Sequence, residues 1–258
     1  MTPRLVKQLL YGAFYLLIII IIFWLAYILF LKPAPTCFDK IKNQGETGTD
    51  CGKPCSPCEI AQLKPLTIDW AMALPARENE ISLLAEITNS NPNFGAQAFS
   101  YQFTIIGPFG ALLKTVKGQS FIYTGEKKYL IEPPLKINPQ DVSRVELSIE
   151  KESVVWQSEK ELVKPKLSVR SVKTNIADKN IAVNGLLKNE YPLLISQLKI
   201  IAILYNRQNR VSNASFTTLT DLKGFEERFF GVELPKDENV NQLDLNQVKI
   251  FIEPGINN

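Results

Sequence analysis

An uninterrupted apolar stretch near the amino terminus constrains this chain more than any other feature. Residues 9–31 read LLYGAFYLLIIIIIFWLAYILFL and contain no charged side chain. As a helix rising about 1.5 Å per residue, the stretch is roughly 34 Å long, enough to cross a hydrocarbon core of about 30 Å. We therefore predict a transmembrane helix over 9–31, preceded by a short cytoplasmic tail at 1–8.

The charged residues around this stretch predict its orientation. Arg4 and Lys7 precede it, Lys32 follows it, and residues 1–32 contain no acidic side chain. Basic residues beside a first span favour the cytoplasmic side, so we expect a single-pass cell-membrane protein with an extracytoplasmic bulk. A cleaved signal peptide is one alternative, although its apolar core is normally only about 7–15 residues. A lipoprotein signal with Cys37 as acceptor and a buried core helix are the others.

The charge balance argues against a nucleic-acid partner. The chain has 29 Lys and Arg and 26 Asp and Glu. Three of the basic residues lie in 1–32, which leaves 26 of each sign for the rest. Nucleic-acid-binding proteins present a basic face, and a neutral ectodomain does not predict one.

The sequence contains no recognisable catalytic pattern. Because there is no histidine, Ser–His–Asp and Cys–His arrangements are excluded. Neither a GxSxG elbow nor a phosphate-binding glycine loop follows a predicted strand. Carboxylate pairs such as Glu226–Glu227 lie in charged, loop-like segments, where solvated turns are the commoner explanation. We therefore predict that the protein is not an enzyme.

All the cysteines lie in one short segment, at Cys37, Cys51, Cys55 and Cys58. An even number clustered beyond a membrane span is typical of two disulfides that stabilise a segment too small for its own core. Three connectivities are open. A zinc site of four thiolates is an alternative, but the usual pair of CxxC knuckles is missing. A redox dithiol at Cys55 and Cys58 is another, without the βαβ pattern around it.

Oxygen-bearing side chains are interleaved with glycines in the same segment, at Asp39, Asn43, Glu46 and Asp50. Calcium prefers several oxygen ligands, and glycine lets a short loop turn so that they converge. These four residues are therefore candidate calcium ligands, and calcium is the one cofactor considered. Ordinary turns in which Asp and Asn bond their own backbone are the alternative, and the spacing does not match an EF-hand.

This segment resembles a short cysteine-rich motif of bacterial surface proteins, roughly C-x-D-x3-N-x2-E-T-x2-D-C-G-x2-C-x2-C. The matching residues are Cys37, Asp39, Asn43, Gly45, Glu46, Thr47, Asp50, Cys51, Gly52, Cys55 and Cys58. The resemblance implies an exported, bacterial context and no settled activity. Lys40 and Lys53 depart from the family, which more often has glycine at both places, and they put positive charge beside the acidic residues.

After a connector at 59–65 the chain changes to short apolar runs separated by turn signals, which predicts an all-β fold. The run 81–89 (ISLLAEITN) is echoed by 181–189 (IAVNGLLKN), and a proline follows each. Similar closing strands stand at 145–150 and 248–253. A period near 100 residues is the length of a domain.

We therefore predict two tandem immunoglobulin-like β-sandwiches, at 65–163 and 164–258, behind the transmembrane helix and a cysteine-rich segment and linker at 32–64. Both copies resemble the bacterial FxLYD-type modules, which are related to the water-stress fold. The best matches are 183–189 and 202–206, and the first copy departs from the pattern at 105–107. The resemblance implies an extracytoplasmic binding or spacer role without catalysis.

These observations together predict a non-catalytic, membrane-anchored protein that displays two β-sandwiches at the cell envelope for protein interaction or spacing. Its expected partners are the membrane and other envelope proteins. One alternative is a surface module that binds calcium through the loop from Asp39 to Asp50 and is stiffened by it. Another is an accessory subunit of an envelope enzyme or secretion complex.

Overall fold

A computed structural model of the chain describes residues 3–28, 36–177, 180–236 and 243–255. It divides into two compact units, Met1–Leu63 and Lys64–Asn258, and we call the second the β unit. The helices are α1 (Pro3–Ala26) and α2 (Cys58–Ala61). The strands are β1 (Thr67–Pro75), β2 (Ile81–Thr88), β3 (Phe94–Ile106), β4 (Leu112–Ile122), β5 (Lys127–Leu135), β6 (Arg144–Ile149), β7 (Val155–Ser158), β8 (Leu167–Ile176), β9 (Asn180–Asn189), β10 (Ile195–Asn206), β11 (Val211–Leu222), β12 (Glu227–Pro235) and β13 (Leu243–Pro254). The predicted all-β fold is confirmed.

Helix α1 forms where the sequence has its apolar stretch. Its large apolar side chains from Leu10 to Leu25 are exposed, except that of Ile18, which is half-buried. Within the described residues, no helix is both long enough and apolar enough to cross a membrane. The last residues of the predicted span, 29–31, lie outside the described residues, as do 32–35 of the predicted linker.

The β unit contains four antiparallel sheets in two matching pairs. Sheet I has the order β1-β2-β5, and sheet II has the order β4-β3-β6 with β7 added to β3. Sheet III has the order β12-β9-β8, and sheet IV has the order β11-β10-β13. The first half (β1–β7) and the second half (β8–β13) therefore pair corresponding strands in the same order. The predicted boundary at 164 lies in the connection between β7 and β8.

Each half has its own apolar core, as the alternation of buried residues requires. In β9, every second residue from Ile181 to Asn189 is buried. The core of the first half includes Leu83, Phe99, Phe103, Ile105 and Leu130. The core of the second half includes Val183, Leu187, Ile200, Leu204 and Phe230.

A third apolar cluster joins the two halves through the outer faces of sheets I and IV. It contains Leu74, Leu84, Tyr129 and Ile131 from the first half and Ile201, Ile203, Tyr205 and Ala214 from the second. Strand β10 is thus apolar on both faces over 200–205, because it lies between two buried layers, whereas β2 contributes only Leu84 to the shared layer. This explains the unbroken run IIAILY at 200–205, a pattern typical of strands covered on both sides.

A buried charged pair also links the two halves. Lys128 of β5 is 1% exposed, and its Nζ lies 3.0 Å from Oε1 of Glu253 in β13. The same ammonium group lies over the ring of Phe121, 3.6 Å from its centroid. Burial lowers the pKa of Lys128, and the Glu253 carboxylate opposes that shift. The halves are therefore joined by a desolvated ionic contact as well as by apolar packing.

The asparagine that ends each repeated run is a structural element of the fold. Asn89 is buried, and its Nδ2 donates to the carbonyl oxygens of Phe94 and Tyr123, at 2.8 and 2.9 Å. Its Oδ1 accepts from the backbone N–H of Asn91 at 3.0 Å. Asn189 occupies the same place in the second half. One side chain thus satisfies backbone groups from turns that are distant in sequence, which a buried turn requires.

The chain enters and leaves the β unit at the same end, which we call the entry end. The backbone N–H of Lys64 donates to Oδ1 of Asn91, and its carbonyl accepts from Nδ2 of the same residue, both at 2.9 Å. At the other terminus, Gly255 N–H donates to the carbonyl of Gln197 at 2.7 Å. The connection between the halves also crosses here, since β7 pairs with the start of β3 and β8 begins opposite the end of β9.

The opposite end, which we call the far end, consists of turns between strands. It includes the β3–β4 turn at 107–111 and the β10–β11 turn at 207–210. Both halves present their far ends side by side, because Asn138 of the first half and Asn180 and Pro235 of the second line one open cleft of about 850 Å³. The two halves therefore run parallel to each other.

Candidate functional site

Two disulfides cross the cysteine-rich segment. Cys37 is joined to Cys55 and Cys51 to Cys58, with sequence separations of 18 and 7 residues. The zinc and redox interpretations both require free thiols, whereas no described cysteine is free. Cys55 and Cys58, the pair that the redox alternative requires, belong to different bridges. A carboxylate of Glu46 lies near the bridge of Cys37 and Cys55, but sulfurs bonded to each other do not supply the thiolates that zinc binds.

Two glycines of the cysteine-rich segment, Gly48 and Gly52, stand at close approaches. Gly52 has a φ of +87°, and a Cβ there would lie 2.4 Å from Oγ1 of Thr47. A Cβ on Gly48 would lie 2.8 Å from Sγ of Cys51. The backbones of Gly48 and Cys51 also exchange hydrogen bonds of 3.1 and 3.4 Å. The described part of the segment, from residue 36, contributes to no apolar core cluster and is therefore shaped by tight turns and cross-links.

The four candidate calcium ligands lie in one connected cluster. The carboxylate of Asp39 accepts hydrogen bonds from Nδ2 of Asn43 and from the backbone N–H of Ile41, both at 2.8 Å. These two bonds, with that from Asn43 the stronger influence, lower the pKa of Asp39 below its usual value. Oε2 of Glu46 accepts from the backbone N–H of Asp50 at 3.1 Å and from that of Asn43 at 3.4 Å. The sequence thus predicted a set of side chains that the fold does bring together.

The hydrogen bonds of this cluster go mainly to the segment's own backbone. The two carboxylate oxygens of Asp50 accept from the N–H of Lys40 at 3.1 and 2.9 Å, and Glu46 is buried. These contacts connect the turns between 36 and 50, which is the role of turn-forming acids. One acceptor differs: Oδ1 of Asn43 is buried and has no hydrogen-bond partner among the described residues. A cation would use that oxygen together with the unused carboxylate lone pairs.

Glu46 also touches the disulfide itself. Its Oε1 lies 3.0 Å from Sγ of Cys55. Because Cys55 is oxidised, its sulfur carries no proton, so this is a contact between a carboxylate and a disulfide and not a hydrogen bond. The backbone hydrogen bonds to Oε2 hold the buried carboxylate beside the bridge between Cys37 and Cys55.

The far end of the β unit presents a second feature, which the sequence reasoning missed. Phe109, in the β3–β4 turn, has a relative exposure of 110% and a left-handed φ of 59°. Leu112, at the start of β4, is 66% exposed. Left-handed backbone is unfavourable for a bulky residue. Gly107, Pro108 and Gly110 are turn-forming residues, but such residues do not predict what the tip of the turn contacts.

Comparison with known proteins does not assign these sites. No protein-family model matches the chain, and the curated proteins contain no significant match to it. The resemblances of the cysteine-rich segment and of the β repeats therefore stay predictions. The functional argument rests on the residues and their geometry.

Proposed function

We propose that the chain is a non-catalytic, single-pass membrane protein that holds two tandem immunoglobulin-like β-sandwiches at the outside of the cell membrane. The observation that carries the proposal is the uncharged apolar run of residues 9–31 in the sequence, of which Phe14, Ile22 and Phe23 lie on different faces of α1 and are exposed. A helix that is apolar all round is stable in a protein core or a bilayer. The uncharged run continues to residue 31 in the sequence.

The paired sheets support the second part of the proposal. In each half, two antiparallel sheets enclose one apolar core, as in an immunoglobulin-like sandwich. The order of corresponding strands is the same in both halves, which is expected after tandem duplication. Contacts between sheets I and IV turn the two sandwiches into one body, so the pair serves as a stiff spacer as well as an interaction module.

The disulfides support an extracytoplasmic location, because such bridges persist in oxidising compartments. They lie directly after the proposed anchor in the sequence, at Cys37–Cys55 and Cys51–Cys58. Among the described residues, the start of the β unit, the connection between its halves and the end of β13 lie at the entry end, so we assign partner binding to the described turns of the far end. This arrangement suits display from a membrane.

The anchor is tested by alkaline carbonate extraction and protease treatment of bacterial spheroplasts that make the full chain. We expect the protein to stay in the membrane pellet, and added protease to remove the β unit. An Ile20→Lys and Ile21→Lys double variant should be released, because each mid-span lysine costs about 2.5–3.5 kcal/mol in insertion. Ile21→Leu is the matched control and should behave as the parent. Complete extraction of the parent, or protection of the β unit from protease, would contradict the proposal.

A second candidate function is calcium binding by the cysteine-rich segment, favoured by the buried and unpartnered Oδ1 of Asn43. A ligand that binds only the folded state raises the free energy of unfolding, by about 2.7 kcal/mol when its concentration is a hundred times Kd. The melting temperature rises as a consequence. We expect millimolar calcium, and not magnesium, to protect residues 36–58 from thermal unfolding, followed by amide NMR signals of the full chain in detergent. Asp39→Asn should weaken the shift. Identical melting with and without calcium would remove this candidate.

A further inference from the structure

The cysteine-rich segment presents two large apolar side chains to solvent. Phe38 is 91% exposed and Ile41 is 61% exposed. Single exposed apolar residues are common on protein surfaces, but these two stand three positions apart in a segment that contributes to no apolar core cluster. The buried residues of its described part are Glu46, Cys51 and Gly52. The segment therefore has no apolar interior of its own that could take up an aromatic ring.

The backbone that carries this apolar pair is held in place by Asp39 and by a disulfide. The carboxylate of Asp39 accepts hydrogen bonds from the N–H of Ile41 at 2.8 Å and from that of Thr36 at 3.2 Å. The bridge between Cys37 and Cys55 cross-links the start of the same turn. The turn therefore loses little backbone freedom when a partner covers the apolar pair, which favours binding.

The chain tethers this pair close to the proposed anchor. The uncharged run ends at Leu31, and Phe38 follows seven residues later. Because a chain extends by at most about 3.6 Å per residue, Phe38 lies within about 25 Å of the point where the run leaves the bilayer. This upper bound holds for any path of the chain between the two residues. The apolar layer nearest to the pair along the chain is therefore the membrane itself.

The charges of the segment nearly cancel. Residues 36–63 contain three basic and four acidic side chains: Lys40, Lys42 and Lys53 against Asp39, Glu46, Asp50 and Glu59. The carboxylates of Asp39 and Asp50 accept backbone N–H groups, and Glu46 is buried. Lys40 and Lys42 flank Ile41 and are exposed, and a lysine can lay its apolar stem on a membrane while its ammonium group stays among the headgroups. Apolar contact, and not net charge, is therefore what would hold the segment on a bilayer.

We propose that Phe38 and Ile41 insert into the bilayer that holds the anchor, so that the cysteine-rich segment lies on the membrane surface. This inference rests on the proposed anchor. Because the segment is tethered to the span, its insertion is intramolecular and takes place at a high effective concentration, so that a contact made by two side chains suffices. The protein is then attached to its membrane at two places, the helix and the cross-linked segment that follows it.

The test uses the full chain, labelled at its isoleucine methyl groups, in nanodiscs of phosphatidylcholine. A lipid with a nitroxide near the top of its acyl chain broadens the NMR signals of groups inside the bilayer, whereas a soluble gadolinium chelate broadens those of groups in water. We expect the Ile41 methyl signals to be broadened by the lipid and not by the chelate. Phe38→Ser should shift the equilibrium toward the withdrawn state by at least about tenfold, the effect of losing one buried apolar side chain. Phe38→Leu should keep Ile41 in the bilayer.

Phe109→Ser is the matched control, because Phe109 is also exposed but lies in a turn of the β unit. The Ile41 signals of this variant should respond as in the parent. Broadening of Ile41 by the chelate in disc-bound parent protein, or equal effects of Phe109→Ser and Phe38→Ser, would overturn the insertion and leave the anchor standing. Protection of Ile41 from both reagents would also overturn it and assign the apolar pair to a protein surface. Protein that does not purify with the discs contradicts the anchor, and the insertion with it.

Discussion

Replacing Glu253 with alanine is expected to lower the free energy of unfolding of the β unit by about 3–5 kcal/mol, because it leaves the buried Lys128 ammonium without its partner. The Nζ–Oε1 distance is 3.0 Å, and the remaining contact with Phe121 does not replace a carboxylate. Urea unfolding of the full chain in detergent, followed by the fluorescence of Trp70 and Trp156, measures the change.

Glu146→Ala is the control for that variant, since Glu146 pairs with Arg144 at 2.7 Å but both side chains are largely exposed. Pairs of this kind contribute less than about 1 kcal/mol. A Lys128→Met and Glu253→Met double variant should recover most of the lost stability, because apolar replacement of a buried pair is often neutral or stabilising. Equal effects of Glu253→Ala and Glu146→Ala would show that the buried pair does not hold the halves together.

Asn189→Ala is expected to cost about 2–4 kcal/mol, because it leaves several buried backbone groups unsatisfied. Its Nδ2 donates to the carbonyls of Leu193 and Lys223, both at 2.9 Å. Its Oδ1 accepts from the N–H of Tyr191, also at 2.9 Å. Without these bonds, no side chain of residue 189 connects the two turns that meet at the entry end of the second half. The same urea titration reports the loss as a lower midpoint.

Asn184→Ala provides the comparison, since Asn184 lies in the same strand but on its outward, half-exposed face. A change of no more than about 0.5 kcal/mol is expected there. Asn89→Ala should resemble Asn189→Ala, because Asn89 makes the equivalent bonds in the first half. If Asn189→Ala lowered the free energy of unfolding no more than Asn184→Ala, the hydrogen bonds of Asn189 would not be what stabilises these turns.

The sequence predicted local features of this fold better than contacts between distant residues. Alternation along 81–89 and 181–189 identified strands, and β2 and β9 occupy those positions. The contact between sheets I and IV was not predicted, although the run at 200–205 is apolar at every position. A period-two pattern shows which strand has a buried face, but a fully apolar strand does not say which second layer covers it.

The candidate site shows the same limit. Residue types and spacing in 37–58 predicted the cross-linked segment and the acidic cluster, because those depend on neighbours in sequence. Disulfide pairing was left open, since four cysteines allow three connectivities. The burial of Lys128 could not be predicted from the sequence either. Lys127 beside it is exposed and pairs with Glu86. Nothing in two adjacent lysines indicates which of them is buried.

The shared end for entry, crossing and exit has a mechanical consequence. In antiparallel sheets the hydrogen bonds run across the strands. A force applied between Lys64 and Gly255, which both lie at that end, would separate the outer strands by breaking their hydrogen bonds one after another. A pull between that end and the tip around Phe109 runs along the strands and loads many bonds in shear together. The β unit is therefore built to resist tension along its length far better than tension between its own termini.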